Sequence, residues 1–131
     1  MFINNKNVGA HFSKCRKYRF ALWRVWDHSK PLVMLIGLNP STANEVDADP
    51  TIESVARIMK FNGYGGFYMM NCFPYVSTKP EDMVLCQPAS RQWRTNNVWL
   101  WYVSKKCETV CFAWGAFKVA VTSSKVFSPK F

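Results

Sequence analysis

VMLIGLNPSTANEVDADPTI, residues 33–52, is the stretch whose reading decides the fold. Val33, Met34, Leu35, Ile36 and Leu38 form an apolar run of strand length, broken only by Gly37. An unbroken run, rather than an alternating one, belongs to a parallel strand covered on both faces. Asn39, Pro40, Ser41 and Thr42 replace it at the carboxyl end, where open α/β sheets bind their ligands. Gly37 permits close backbone approach, Pro40 stiffens the turn, and Asn39 sets a carboxamide beside the strand tip. A strand running into an ordinary turn accounts for the same residues. The loop marks a place rather than a function.

Downstream, Asp49-Pro50 is a helix start, with Asp as N-cap and Pro at the first helical position. Ile52, Val55, Ala56 and Met59 follow at helical spacing, Glu53 suits the first turn and Lys60 the last. Asn62-Gly63 and Gly65-Gly66 end this helix, and FYMMNCF (67–73) is a second buried strand. Strand, helix and strand in that order imply a right-handed crossover between parallel neighbours. Residues 74–90, with Pro74, Pro80 and Pro88, read as a long surface connection. RQWRTNNVWLWYVS (91–104) reads as a helix with Trp93, Asn97 and Leu100–Trp101 near one face. TVCFAW (109–114) is a third buried strand, and Gly115 leads into a helix over Ala116–Val121.

Upstream, RKYRFALWRVW (16–26) alternates, Tyr18, Phe20, Leu22 and Trp26 against Arg19, Ala21, Trp23 and Val25. It reads as a partly covered strand ending at the Asp27–Pro31 turn. Residues 1–16 read as a loosely ordered entry. The whole, residues 1–131, is one α/β domain: three layers, α/β/α, around a short parallel sheet that the amino-terminal strand can extend.

At 131 residues the chain can bury a core without staples, and 49% hydrophobic with 16% aromatic residues excludes a disordered chain. The net charge of +9 is unevenly spread. Glu45, Asp47, Asp49 and Glu53 crowd a window without Lys or Arg, so 17 basic side chains face only four acidic ones elsewhere. A basic body with one acidic loop suits a polyanionic partner, nucleic acid or a nucleotide first, although net charge also serves solubility. Cys15, Cys72, Cys86, Cys107 and Cys111 form no C-x-x-C pair, and His11 and His28 lie far from them. That spacing argues against a zinc site and for free buried thiols in a reducing cytosol. No segment resembles a leader or a membrane span, so a cytoplasmic protein without membrane, metal or cofactor is expected.

Asn39 follows the first buried strand and Asn71 ends the second. In adjacent parallel strands both project towards one crevice. A carboxamide holds an acceptor and two donor hydrogens, so it can pair with a nucleobase edge or hold a water in line for attack. Each amide can equally tie down loop backbone. Phe73 or Tyr75 can stack on a base, and Trp93, Trp99, Trp101 and Trp114 serve either as core or as a stacking surface. Asp49 is an alternative water activator, because a carboxylate is the better general base, but it is also explained as a helix cap.

GLNPSTA at 37–43, DPTI at 49–52, NGYGG at 62–66 and MNCFPYVSTKPED at 70–82 resemble domain of unknown function family 1643 over about residues 17–115. More distantly, G-x-N-P after the first strand, Asn at the end of the next and a later apolar strand ending in Gly resemble the uracil-DNA glycosylase superfamily. That resemblance implies hydrolysis of an N-glycosidic bond, with Asn39 positioning the attacking water. The nitrogens of Ser41 and its neighbour Thr42 would grip a base carbonyl, and Asn71 would read the base edge. The superfamily's carboxyl-terminal strand and its His- or Ser-bearing loop are not matched here. No histidine follows His28, and Ser128-Pro129 is the sole remnant, so this part reads as shortened. The competing functions are a non-catalytic nucleotide or nucleic-acid binder and a protein-interaction domain using the aromatic surface.

Overall fold

The computed structural model describes residues 7–77 and 90–113. Within them the strands are β1 (Val8–Phe12), β2 (Arg19–Val25), β3 (Leu32–Gly37), β4 (Gly66–Asn71) and β5 (Thr109–Phe112). The helices are α1 (Pro50–Phe61) and α2 (Ser90–Ser104). The strands form one sheet in the order β1-β2-β4-β3-β5. β3 pairs in parallel with β4 on one side and β5 on the other, as the apolar runs require.

The sheet is mixed rather than parallel throughout. β2 lies antiparallel to β4, and β1 antiparallel to β2. The extension by the amino-terminal strand is therefore present, and part of the segment read as loose is itself a strand. Gly9 hides it: glycine weakens a strand signal, yet here the Trp23 ring occupies the space a Cβ would take.

Alternate residues of each strand feed opposite faces. Leu22, Val33, Leu35, Phe67 and Met69 pack with Ile52 of α1, flanked by Val55, Ala56 and Met59. Met34, Ile36, Tyr68, Met70 and Val110 pack with Trp99, Leu100 and Val103 of α2. One helix thus covers each face. α1 begins as read, with the Asp49 carboxylate accepting from the Ile52 N–H and Pro50 in the first turn. It closes at Asn62, followed by Gly63 at φ +85°.

α2 buries Asn96, Trp99, Leu100 and Val103, whereas Asn97 is exposed and Trp101 stands 51% exposed. The face expected through Asn97 and Trp101 is thus displaced. Apolar and aromatic residues surround this helix, and the buried position that fixes its rotation is polar. Trp114, the helix expected over Ala116–Val121, most of the 74–90 connection and Ser128-Pro129 lie outside the described residues.

A register shift matters for the site. β1 pairs His11 with Ala21 and then Phe12 with Arg19, skipping Phe20. Phe20 and Ala21 consequently both join the α2-side core, and Arg19 turns to the α1 side.

Gly65 bridges the 26–31 turn to β4. Its N–H donates to the Pro31 carbonyl, and its carbonyl accepts from the Trp26 and Asp27 N–H groups. A Cβ there would run into the Asp27 carbonyl and come 2.9 Å from the Lys30 Cβ. Gly65→Ala is expected to destabilise the fold by about 1–3 kcal/mol, because rigid backbone opposes it. Urea unfolding measures this, and an unchanged midpoint would contradict the tight turn.

Candidate active site

Beyond the strand ends the sheet pattern continues through loop backbone. The Cys72 and Phe73 N–H groups donate to the Gly37 and Leu38 carbonyls, and that of Ser77 to Pro40. On the other flank Arg19 N–H donates to the Pro74 carbonyl and Val76 N–H to that of Lys17. Segment 72–77 therefore extends the path of β4, held between the ends of β2 and β3. This is the carboxyl edge of a parallel pair, where α/β folds place their ligands.

Asn71 occupies that edge in register with Gly37. Its side chain lies on the α1 face, where a Cβ at Gly37 would fall 2.9 Å from its Oδ1. It is 1% exposed, and neither its Oδ1 nor its Nδ2 has a hydrogen-bond partner among the described residues. Its backbone is well held. Asn96 Nδ2 of α2 donates to the carbonyls of Asn71 (2.9 Å) and Cys72 (3.3 Å) from the opposite face. Asn96 is a residue the sequence reading missed, hidden among the aromatics of its helix.

Asn39 is placed differently. It is half-buried, and its Nδ2 donates to the carbonyls of Ser77 (2.9 Å), Pro40 (3.2 Å) and Tyr75 (3.4 Å). The amide nitrogen thus ties the first loop to the second, which orients the remaining Oδ1. Asp49 uses both oxygens: one accepts from Ile52 N–H, the other from the Ser41 hydroxyl. Thr42 is exposed. Phe73 packs edge-on against Trp93 at 5.3 Å, and Tyr75 against Tyr18 at 6.0 Å. Asn39, Ser41, Asp49 and Asn71 thus share the carboxyl end of the β3–β4 pair, while the two candidate stacking rings face other aromatic partners.

Arginines from the β2 side hold the acidic loop against this edge. Arg16 makes a two-pronged bond to Glu45 at 2.8 and 2.9 Å. Arg24 donates to the Asn44 carbonyl at 2.8 Å, and Arg19 to the Ala43 carbonyl at 3.0 Å. Burial pulls the Arg19 guanidinium down to about 10, opposed by the charge of Asp49. Burial also lowers Arg24. The available signal for Arg19 was a charged residue at the start of an otherwise apolar, aromatic strand.

Cys86 lies outside the described residues, and among the described thiols all but one are quiet. Burial pushes Cys107 up to about 12 and raises Cys72 and Cys111, which suits the expected buried thiols. Cys15 is exposed instead, and the Ser13 hydrogen bond lowers it. No described helix is long and apolar enough to cross a membrane.

The family model described as a protein of unknown function, DUF1643, matches residues 19–128, most of the chain. The chain belongs to the DUF1643 family. Comparison with the curated proteins and with the solved structures found no match. The DUF1643 match takes in the loop, both asparagines and Arg19, and leaves out β1.

Arg16 holds the Glu45 carboxyl down at about 2, against an ordinary value of 4.5. A carboxyl depressed in the folded state stabilises above its unfolded value and loses that contribution as pH falls through the folded one. Acid should therefore weaken this clasp between pH 4.5 and about 2. Both groups are solvent-accessible, so screening keeps the effect small. Glu45→Gln should remove that part of the pH dependence of the melting temperature. An identical acid profile for the variant would count against it.

Proposed function

We propose that this protein recognises a nucleobase, free or within a nucleotide or nucleic acid, with Asn71 reading the base edge. The buried, unpartnered Asn71 carboxamide carries this reading. Leaving a buried polar group without a partner costs about 1–3 kcal/mol, and here an acceptor and a donor sit side by side on one planar group. A base edge that offers an adjacent donor and acceptor satisfies both at once. The basic body outside the acidic window favours a phosphate-bearing source for that base.

Hydrolysis of the N-glycosidic bond is the catalytic form of this proposal, and Asn39 supports it. Three carbonyls hold its amide nitrogen, so Oδ1 keeps one orientation and can accept from a water. Addition of that water to the sugar carbon breaks the carbon–nitrogen bond, whose electron pair leaves with the base, and the proton shed by the water passes to the departing base or to solvent. The resemblance to the uracil-DNA glycosylase superfamily assigns the same role to Asn39. Asp49 is better explained as cap and Ser41 acceptor, since both its oxygens are engaged. A non-catalytic binder would use Asn71 alike, without turnover.

Asn71→Leu separates a reading residue from a structural one. Replacing an unsatisfied amide by an apolar side chain of similar volume should leave the fold as stable or stabilise it. The same change should weaken nucleobase or nucleoside binding by at least about tenfold in calorimetric titration. Destabilisation with unchanged binding would overturn the assignment. For hydrolysis, Asn39→Ala should abolish release of base from uracil-containing or mismatched oligonucleotides. Wild-type protein that binds these without releasing base would leave the non-catalytic reading.

A further inference from the structure

Resting on the base-recognition reading, we infer that the ligand of this site also carries an anionic phosphate group and that Arg19 is its counter-charge. Arg19 is 2% exposed and, among the described residues, makes one side-chain hydrogen bond, from Nη1 to the Ala43 carbonyl. Its Nε has no partner among the described residues. The ion pairs there are Arg16–Glu45 and Lys30–Asp27, so no described carboxylate lies within contact of the Arg19 guanidinium.

The local charges leave a surplus. Asp49 acts on both Arg19 and Arg24 through space, and its oxygens are already bonded to Ser41 and Ile52. Glu45 acts on Arg24, but Arg16 engages it directly. Two guanidiniums thus share one carboxylate that touches neither. Anchoring the Ala43 carbonyl needs only a neutral donor. Burying a cation for that purpose carries a desolvation cost that an amide would avoid.

The skipped Phe20 supplies the second observation. Strict alternation from Leu22, which faces α1, would send Arg19 into the α2-side core. The bulge instead delivers it to the face that carries Asn71, on the neighbouring strand. Bulges recur next to functional sites because they re-aim a side chain in this way. A guanidinium fork matches phosphate oxygens in geometry as well as charge. A buried base-reading amide and a buried phosphate-type cation on one face together describe a nucleotide rather than a free base.

The test is calorimetric titration of the full chain with the common nucleosides, deoxyuridine, their 3′- and 5′-monophosphates, inorganic phosphate and a short single-stranded deoxyuridine oligonucleotide. Some monophosphate or the oligonucleotide should bind about tenfold or more tightly than its nucleoside. Arg19→Gln should reduce that binding to the nucleoside's level, and Arg19→Lys should retain part of the advantage. Preference for the oligonucleotide over monophosphates assigns the phosphate to a polymer, and the reverse to a free nucleotide. Both support the inference. Nucleosides binding as tightly as their phosphorylated forms would overturn it while leaving base recognition intact. Inorganic phosphate bound through Arg19, without preference among bases, would sustain it and remove base recognition. Binding of none of these overturns both. The wild-type ratio needs no variant, so the test survives if Arg19→Gln fails to fold.

Discussion

The close approach of Asn71 to Gly37 is the constraint around which the carboxyl end of the sheet is built. Their strands pair in parallel to this last position, and the missing Cβ at Gly37 is what admits a carboxamide there. From this point the two chains remain bonded through the Cys72–Gly37 and Phe73–Leu38 contacts. Asn96 secures the same backbone from the other face. The edge is consequently held in its main chain, while the buried Asn71 carboxamide has no partner among the described residues. The proposed recognition role rests on this contrast, because buried polar groups are ordinarily hydrogen-bonded.

Electrostatics locks the facing loop by a different means. Residues 43–49 carry acidic side chains, yet two of the three arginines that hold the loop bind its carbonyls rather than its carboxylates. Main-chain anchoring fixes the path of the loop without consuming its charge. Asp49 meanwhile joins the loop to α1 through the Ile52 N–H, so the helix start and the Ser41 position are set by one carboxylate.

Much of this was legible from residue order, for identifiable reasons. The unbroken runs at 33–38 and 67–70 announced strands covered on both faces, and Asp49-Pro50 announced the helix between them. From those alone Asn39 and Asn71 fall at neighbouring strand ends. The reading failed where pattern and environment part company. β1 contains Gly9 and His11, poor strand signals that make sense only once Trp23 and Trp99 lie over them. The rotation of α2 depends on a buried Asn96, which hydrophobic periodicity cannot rank above Asn97. Asn39 had two readings, a loop tie and a water holder, and its nitrogen serves the first while its oxygen is left for the second. The direction of Arg19 was hidden most deeply, because period-two counting assumes that no residue is skipped.

That skipped residue has a consequence for how the family can vary. Loss of Phe20 itself would leave Arg19 next to Ala21 and, by strict alternation, on the face it occupies now, whereas an unbulged ladder that paired Phe20 with Phe12 would exchange the faces of everything before Ala21. The cation would then enter an apolar core, and an aromatic side chain would meet the acidic loop. The charge at this edge is therefore set by the register of β1 against β2 as much as by the identity of residue 19. A relative that keeps a cation here should either hold the extra residue as a bulge or lack it altogether, since both arrangements leave that cation on the α1 side.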